Sequence, residues 1–401
     1  MQTQLQTLAE RLNRLEAANT QLKTENEELK AVVERSDAET EYLKAQTKEL
    51  REEAAVASNE LSKVKGTDWA KNVKLKGDLR YRHEMIDQDD LDETRTRHRI
   101  RARLGVEAKP TENILAAFQL STGQDADPRS SNQTLGSAST RKDIFIDLAY
   151  ADWKFTDGAN LIVGKQRWEH VRPGLSLFYD NDFNPEGAAV IFNRGIVFGS
   201  AYANWLSESG GGDDGYFYGG QLGVRIPFGD TSNFALAATY NTVDDPGGTD
   251  ILYLGSSNGN STAADGSLLY DFDVWEVQAE LNMALGKLPV QAYIDYAQNT
   301  DPDDLNEAYS IGFLLGKASN DRTWEFGAAY QSIEKDALFG QFVDSDFGAG
   351  KTDADGWIFK VGYVPVKNWT LNGTYFVNKI GVDAGNDVGY DRLQLDLNYK
   401  F

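Results

Sequence analysis

Two different spacings of apolar residues divide the chain near Gly66. Before Gly66 there is neither Gly nor Pro, and apolar residues recur at two positions of an unbroken seven-residue repeat. This spacing predicts a left-handed coiled coil, because it keeps one seam of each helix facing its partners. The seam residues are Leu5, Leu8, Leu12, Leu15, Asn19, Leu22, Asn26, Leu29, Val33, Leu43, Leu50 and Leu61. We therefore predict an oligomerisation rod over residues 1–65, whose number of strands these residues do not decide.

After a linker at 66–72, the apolar residues alternate with polar ones at every second position. In the last segment, Leu393, Leu395 and Leu397 alternate with Gln394 and Asp396. Such alternation predicts a β-strand with one apolar and one polar face. Sixteen segments of this kind follow one another: 73–82, 95–108, 114–121, 143–155, 160–169, 187–193, 196–207, 216–227, 233–243, 270–284, 289–299, 306–317, 323–334, 354–365, 368–379 and 389–401.

The connections between these strands are alternately short and long. Short turns at one end and long loops at the other are typical of an outer-membrane barrel, and closure removes the unpaired edges that lipid does not tolerate. We therefore predict an all-β transmembrane barrel of sixteen antiparallel strands over residues 73–401. A barrel of this size leaves an aqueous channel for the polar faces to line. A soluble sandwich or propeller is the alternative, although it seldom needs so many strands of this length.

A row of arginines is the sharpest feature of the predicted barrel. In the second strand every second residue from 95 to 103 is Arg, so these five side chains share one face. A guanidinium facing lipid costs roughly 2–4 kcal/mol. We predict that they line the lumen, although pairing with acidic residues of neighbouring strands would be a purely structural use. The predicted basic lining is Arg80, Arg82, Arg95, Arg97, Arg99, Arg101, Arg103, Lys165 and Arg167.

The third long connection, 170–186, could supply the opposite charge. It carries Asp180, Asp182 and Glu186 among aromatic residues. If this segment folds into the lumen, it forms an acidic constriction opposite the arginines, and charged rings of this kind select ions in pores. A solvated surface loop is the alternative.

The amino-acid composition excludes several other classes of protein. The chain has no Cys, which excludes disulfides and thiol chemistry, and it has 62 acidic against 40 basic residues, so nucleic acid is not an expected partner. It has no apolar run long enough for a transmembrane helix. It also begins without a charged and then apolar leader, so we expect that a signal peptide has been removed.

Enzymatic and cofactor signals are weak. The letters Gly-x-Ser-x-Gly at 255–259 fall in a polar loop, and the histidines His83, His98 and His170 show no spacing to a nucleophile. We therefore expect no enzymatic activity and no cofactor. Acidic loops such as 83–94 could at most bind Ca²⁺ or Mg²⁺ loosely.

Several segments resemble the Gram-negative outer-membrane "putative porin" family and, more distantly, the phosphate-selective porins. They are KGDLRYR at 76–82, RHRIRARLGVE at 97–107, AYADWKF at 149–155, VGK at 163–165, NPEG at 184–187 and the terminal Phe401. The resemblance implies a trimeric channel in the outer membrane with its N-terminal rod in the periplasm. It also implies contact with lipid, lipopolysaccharide and the barrel-assembly machinery, for which the terminal strand resembles the recognition signal.

The sequence thus predicts a porin for passive diffusion of small hydrophilic solutes and ions. Two alternatives stay open. The channel could be selective for anions or phosphate, since phosphate-selective relatives line their channels with arginine. The protein could instead act mainly as an envelope tether, whose rod of roughly 90 Å, at about 1.5 Å per residue, reaches the peptidoglycan.

Overall fold

The computed structural model describes residues 72–124, 127–208, 210, 214–244 and 256–401, with isolated residues between Glu16 and Glu52. The chain divides into two units, Met1–Asp68 and Trp69–Phe401. In the first unit the described residues, among them Asn19, are helical and exposed. The predicted seam residues other than Asn19 lie outside the described residues, so the coiled coil stays a prediction. No helix in the described part of the chain is long and apolar enough to cross a membrane.

The second unit is a single antiparallel sheet that closes on itself. Its strands are β1 Val73–Gln88, β2 Arg95–Thr111, β3 Ile114–Thr122, β4 Gln133–Thr134, β5 Ile144–Thr156, β6 Ala159–Lys165, β7 Glu186–Arg194, β8 Val197–Ser207, β9 Gly215–Pro227, β10 Asn233–Val243, β11 Phe272–Leu285, β12 Leu288–Asn299, β13 Glu307–Gly316, β14 Trp324–Ile333, β15 Ala354–Tyr363, β16 Trp369–Ile380 and β17 Val388–Lys400. The two-residue β4 pairs only with Arg99 and Ile100 of β2, so sixteen strands form the wall.

The wall closes because β1 pairs with both β2 and β17. Asp78 lies opposite Arg103 on one side and opposite Lys400 on the other. The N–H of Gly77 donates to the carbonyl of Phe401, and the N–H of Phe401 donates back. The predicted closed barrel of sixteen antiparallel strands is thus confirmed.

The two faces of the wall differ as lipid and water require. Outward residues such as Leu75, Trp324 and Trp357 are exposed, whereas the polar residues Gln331 and Ser310 are buried on the inside. Outward aromatic rings also pair across strands, with centroids 4.1 Å apart for Trp324 and Tyr363. Alternation places every second side chain on the apolar face, which is the pattern of a membrane barrel.

Two strand ends differ from the sequence prediction by four or more residues. β1 continues to Gln88 rather than 82, because Glu84 pairs opposite Arg97 of β2 and opposite Gln394 of β17. β6 stops at Lys165 rather than 169, because the chain turns into the barrel there. Gly164 precedes that turn with φ of 125°, a value that residues with a side chain rarely adopt.

Candidate functional site

The connection between β6 and β7, residues 166–185, folds into the interior of the barrel and is called loop 3 below. Its Val171 N–H donates to Gln221 Oε1 of β9 at 3.0 Å. Its Ser176 Oγ donates to Asp295 Oδ2 of β12 at 2.6 Å, and its Leu177 N–H donates to Gln331 Oε1 of β14 at 2.9 Å. Inward polar side chains of three separate strands therefore hold the loop along the inner wall.

An aromatic cluster explains why loop 3 folds into the interior of the barrel. Trp168, Phe178 and Phe183 of the loop are buried together with Tyr202 and Phe217 of the wall. The Trp168 ring lies 4.9 Å from that of Phe217 in an edge-to-face arrangement. Burying large rings stabilises the folded loop, because each removes a large apolar area from water.

A second connection, residues 334–353, also fills the interior, and we call it loop 7. The sequence pattern did not predict this insertion. Its Phe339, Phe342 and Phe347 are buried, and the Phe342 ring stacks on Phe183 of loop 3 at 4.3 Å. The Asp180 N–H of loop 3 donates to the Phe342 carbonyl at 2.9 Å. The apolar run Ala337–Phe339 inside a long polar connection was the available signal.

A third connection, residues 123–143, contributes the arginine that fastens loop 7, and we call it loop 2. Arg129 is buried and donates to the carbonyls of Gly340, Val343 and Gly350 at 3.2, 3.3 and 2.9 Å. Charge-assisted bonds to several carbonyls satisfy backbone groups that the loop would otherwise bury unpaired.

The arginines of β1 and β2 lie side by side in the sheet register. Arg80 is opposite Arg101, and Arg82 is opposite Arg99. Arg82 and Arg99 are buried, and Arg97, Arg101 and Arg103 are half-buried. Arg95 is exposed at the start of β2, so the structure does not bring it to the others.

Most of these arginines are paired with carboxylates. Arg101 and Arg103 bind Asp78 at 2.8 and 2.7 Å, and they lie 3.8 and 3.6 Å from Asp182 of loop 3. Arg82 binds Asp396 of β17 at 2.7 Å. The row of arginines is therefore in large part a ladder of ion pairs with acidic residues. This is the purely structural use that the sequence left open.

Two further acids extend this ladder, and one of them, Asp346, brings loop 7 into it. Asp346 of loop 7 binds Arg82 at 3.0 Å and Arg392 of β17 at 2.7 Å. Glu84 binds both Arg97 and Arg392. Arg392 and Asp346 were not anticipated, because nothing in their local sequence marks them.

Arginines and aspartates meet at one cavity of about 310 Å³, which we call the charged passage. Strands β1 and β2 contribute Arg80, Arg82 and Arg101, and loop 2 contributes Arg129. Loops 3 and 7 contribute the acidic residues Asp180, Asp182, Asp344 and Asp346. Of the predicted site residues, the structure thus brings Arg80, Arg82, Arg101, Asp180 and Asp182 together.

The four aspartates are not equivalent. Burial alone would raise the pKa of Asp182, but Arg101, a hydrogen bond from Ser131 and Arg103 hold that pKa below its ordinary value. Burial, Asp344 and Asp182 instead raise the pKa of Asp180 well above its ordinary value. Burial and the neighbouring Asp346 raise the pKa of Asp344 to about 7. Burial would also raise the pKa of Asp346, but Arg392 and Arg82 hold that pKa below its ordinary value. The passage therefore holds two aspartates that ionise readily and two that do so reluctantly.

The remaining predicted residues lie elsewhere. Glu186 is the first residue of β7 rather than part of loop 3, and it binds Lys165 Nζ at 2.9 Å. Both line a separate cavity of about 500 Å³, together with Asp182. Arg167 lines a third cavity of about 490 Å³ with Asp78 and Arg103.

The three histidines lie at two different places in the barrel. The rings of His83 and His98 lie 5.0 Å apart at neighbouring positions of β1 and β2, and His170 is buried against Glu276. Within the described part of the chain, no group of three or more His, Asp or Glu side chains could hold a metal ion. Gly255 of the Gly-x-Ser-x-Gly letters lies outside the described residues.

A closed barrel of sixteen strands, with loops folded into a polar interior, is the architecture of the outer-membrane channel proteins of bacteria. The chain belongs to the family described as "Putative porin", whose profile matches residues 86–251 and 263–401. The family and the barrel together indicate a protein of the Gram-negative outer membrane. Among curated proteins, none matches this sequence.

The barrel is similar to solved structures of other proteins. OprB of Pseudomonas putida, in a high-pH structure, is 14% identical, with 83% of this chain and 95% of that chain covered and a TM-score of 0.56. For OmpF of Salmonella typhi, in complex with daunomycin, the identity is 11%, 82% of this chain and 97% of that chain are covered, and the TM-score is 0.49. At 14% identity, the likeness to OprB shows the fold alone.

Proposed function

We propose that this protein is a passive outer-membrane channel for small hydrophilic solutes and ions, and that the charged passage is its narrowest part. The observation that carries the proposal is the cavity lined by Arg80, Arg82 and Arg101 together with the aspartates of loops 3 and 7. A solute that follows the lumen meets fixed charges of both signs there. Family membership supports a channel rather than an enzyme.

The charge balance of the passage favours anions at neutral pH. The four arginines and Lys360 that line it are opposed by four aspartates, of which Asp182 and Asp346 are ionised through their arginine partners. Asp180 and Asp344 are held back from ionising by their raised pKa values. The excess of positive charge raises the local concentration of anions.

The test is the reversal potential of the purified protein in a planar bilayer under a KCl gradient at pH 7. We expect an anion-favouring potential. Replacing Arg80 and Arg101 together by Gln should reduce the anion-to-cation permeability ratio by roughly fivefold, about the contribution of one partly screened ion pair.

The matched control is Arg141→Gln, which removes an exposed arginine of loop 2 and should leave the ratio unchanged. An unaltered reversal potential in the double variant would contradict the assignment of selectivity to the passage. Replacing Arg97, Arg99 and Arg101 by Ala extends the test to the rest of the row, and it should shift selectivity toward cations in the same way.

Several narrower expectations accompany this proposal. Selectivity for phosphate over other anions is one, since it needs the same arginines. A homotrimer, contact with lipid and lipopolysaccharide, use of the barrel-assembly machinery, and a periplasmic rod that reaches the peptidoglycan are others. Loosely bound Ca²⁺ or Mg²⁺ at the acidic loops also stays a prediction. The resemblance to the porin family motivates the partners, and the heptads before Gly66 motivate the rod.

A further inference from the structure

Most charges of the passage already have an opposite partner, and the exceptions define a pattern. Arg82 and Arg101 are bound to Asp396 and Asp78 of neighbouring strands. Asp182 and Asp346 are close to arginines. These groups build the wall, and their partners limit what else they bind.

Among the described cations that line the passage, Arg80 is the one that binds no carboxylate. Arg129 binds Asp127 at 3.2 Å, and Lys360 of β15 binds Glu325 at 2.9 Å. The Nη2 of Arg80 donates to Asn132 Oδ1 at 2.6 Å, and among the described residues Arg80 forms no ion pair. Its Nε is enclosed and has no hydrogen-bond partner there either. A guanidinium has five N–H donors and gains most from a carboxylate or a similar anion. Arg80 is therefore the group of the passage to which the carboxylate of a solute is best suited.

Asp180 and Asp344 are the matching unpaired acids. The oxygens of Asp180 accept the N–H groups of Asp182 and Ser345 at 2.7 and 2.8 Å. Asp344 Oδ1 accepts the N–H groups of Asp346 and Phe347 at 2.9 and 3.2 Å. Neither has a cationic partner in the described part of the chain, and each lies beside another acid. A primary ammonium would supply the positive charge that these carboxylates lack.

The lining between the charges is apolar. Leu175 and Leu177 of loop 3 line the same cavity as Ile358 of β15 and Phe376 of β16. A cavity of about 310 Å³ is at the small end for a ligand site. It therefore suits a compact molecule that carries an anionic group, a cationic group and a small aliphatic part.

We propose that the charged passage is a binding site for zwitterionic solutes of the amino-acid and short-peptide class. The solute carboxylate binds Arg80, its ammonium binds Asp180 and Asp344, and its aliphatic part packs on Leu175 and Leu177. This inference rests on the proposed channel function and names the solute class. A simple anion contacts only Arg80, and a simple cation contacts only the two aspartates. Each therefore makes only one of the two charged contacts that a zwitterion makes.

The test measures how strongly three matched peptides block the KCl current of the reconstituted full chain. The probes are alanyl-alanine, its N-acetyl form, which lacks the ammonium, and its C-terminal amide, which lacks the carboxylate. We expect alanyl-alanine to half-block the current at a concentration about fivefold lower than either modified form, because it gains one additional ion pair.

Two variants assign the two ends of the site. Arg80→Gln should weaken block by alanyl-alanine and by the N-acetyl form about fivefold but leave block by the amide unchanged. Asp344→Asn keeps an oxygen for the two N–H groups, and it should weaken block by alanyl-alanine and the amide only. The matched controls Arg141→Gln and Asp303→Asn change exposed residues and should alter none of the three.

The other outcomes are decisive as well. Equal block by alanyl-alanine and its N-acetyl form, with no effect of Asp344→Asn, would show an anion site and overturn the inference. A protein that conducts normally but is blocked by none of the probes would also overturn it while leaving the channel function intact. An unmodified protein without any conductance would overturn the proposed function and the inference together.

Discussion

At the scale of the residue, a buried histidine joins loop 3 to the wall. His170 Nε2 lies 3.1 Å from Glu276 Oε1 of β11, and both side chains are shielded from water. Burial lowers the pKa of His170 to about 3, with a further lowering by Arg172 that the nearby Asp295 opposes. Tyr179 and Trp168 of its own loop enclose the ring. His170 is therefore neutral in the folded barrel at physiological pH.

Acid should lower the stability of the folded protein through His170. Because the pKa of His170 is lower in the folded state than in the unfolded state, the unfolded chain binds more protons as the pH falls below about 6.5. Between pH 6.5 and pH 4 the unmodified protein should lose about 3 kcal/mol of stability relative to His170→Gln, at 1.36 kcal/mol per pH unit. Denaturant unfolding in detergent at a series of pH values measures this difference.

The exposed His98 is the matched control for that measurement. His98→Gln should follow the pH profile of the unmodified protein, because the His98 side chain is exposed rather than buried. The carboxylates with raised pKa values, Asp180 and Asp344, act in the opposite direction, so only the difference between variants is diagnostic. Parallel profiles for His170→Gln and the unmodified protein would contradict the buried neutral state.

At the scale of the element, two loops rather than one fold into the interior of the barrel. Loop 3 lies along β9, β11, β12 and β14, and loop 7 packs on it through Phe342 and Phe183. The aromatic and aliphatic side chains of both loops form one buried cluster with the wall. Residues of both loops line the charged passage together with arginines of strands β1 and β2.

Loosening loop 7 should widen the channel. Arg129→Ala removes three hydrogen bonds to loop 7 carbonyls, and bonds to charged groups contribute about 1.5–3 kcal/mol each. We expect a larger single-channel conductance together with a lower denaturation midpoint. Arg141→Ala, an exposed arginine of the same loop 2, should change neither quantity. An unchanged conductance for Arg129→Ala would show that loop 7 does not limit the opening.

At the scale of the whole molecule, the barrel is closed by strands of the second unit alone. β1 begins at Val73 and pairs with β17, which ends at Lys400. Closure satisfies the backbone hydrogen bonds of both terminal strands, which a bilayer requires. The channel proposal therefore depends on residues 73–401, and the tether alternative depends on residues 1–65.

Removing residues 1–65 separates these two functions. If the protein is primarily a channel, the shortened chain should conduct with the same single-channel step and reversal potential as the full chain. Loss of envelope integrity in cells that carry the shortened chain, at unchanged conductance, would favour the tether. A shortened chain that inserts normally but no longer conducts would contradict the assignment of the channel to residues 73–401.

Much of the barrel could be predicted because its signal is local. β10 spans Asn233–Val243, the same residues as the predicted strand, and most other strand ends agree within one or two residues. Alternation of apolar and polar side chains follows directly from strand geometry. The same rule placed Arg97, Arg99, Arg101 and Arg103 on one face.

The sequence by itself therefore determined the strands, their order and the face on which each side chain lies. Only the tertiary structure decided which loops fold inward and which carboxylate each arginine meets. Glu84 pairs with Arg392, and Arg129 meets the carbonyl of Gly350, although these partners are distant along the chain. Such pairs form because closure of the barrel brings distant segments into one water-poor interior, where a buried charge requires a partner.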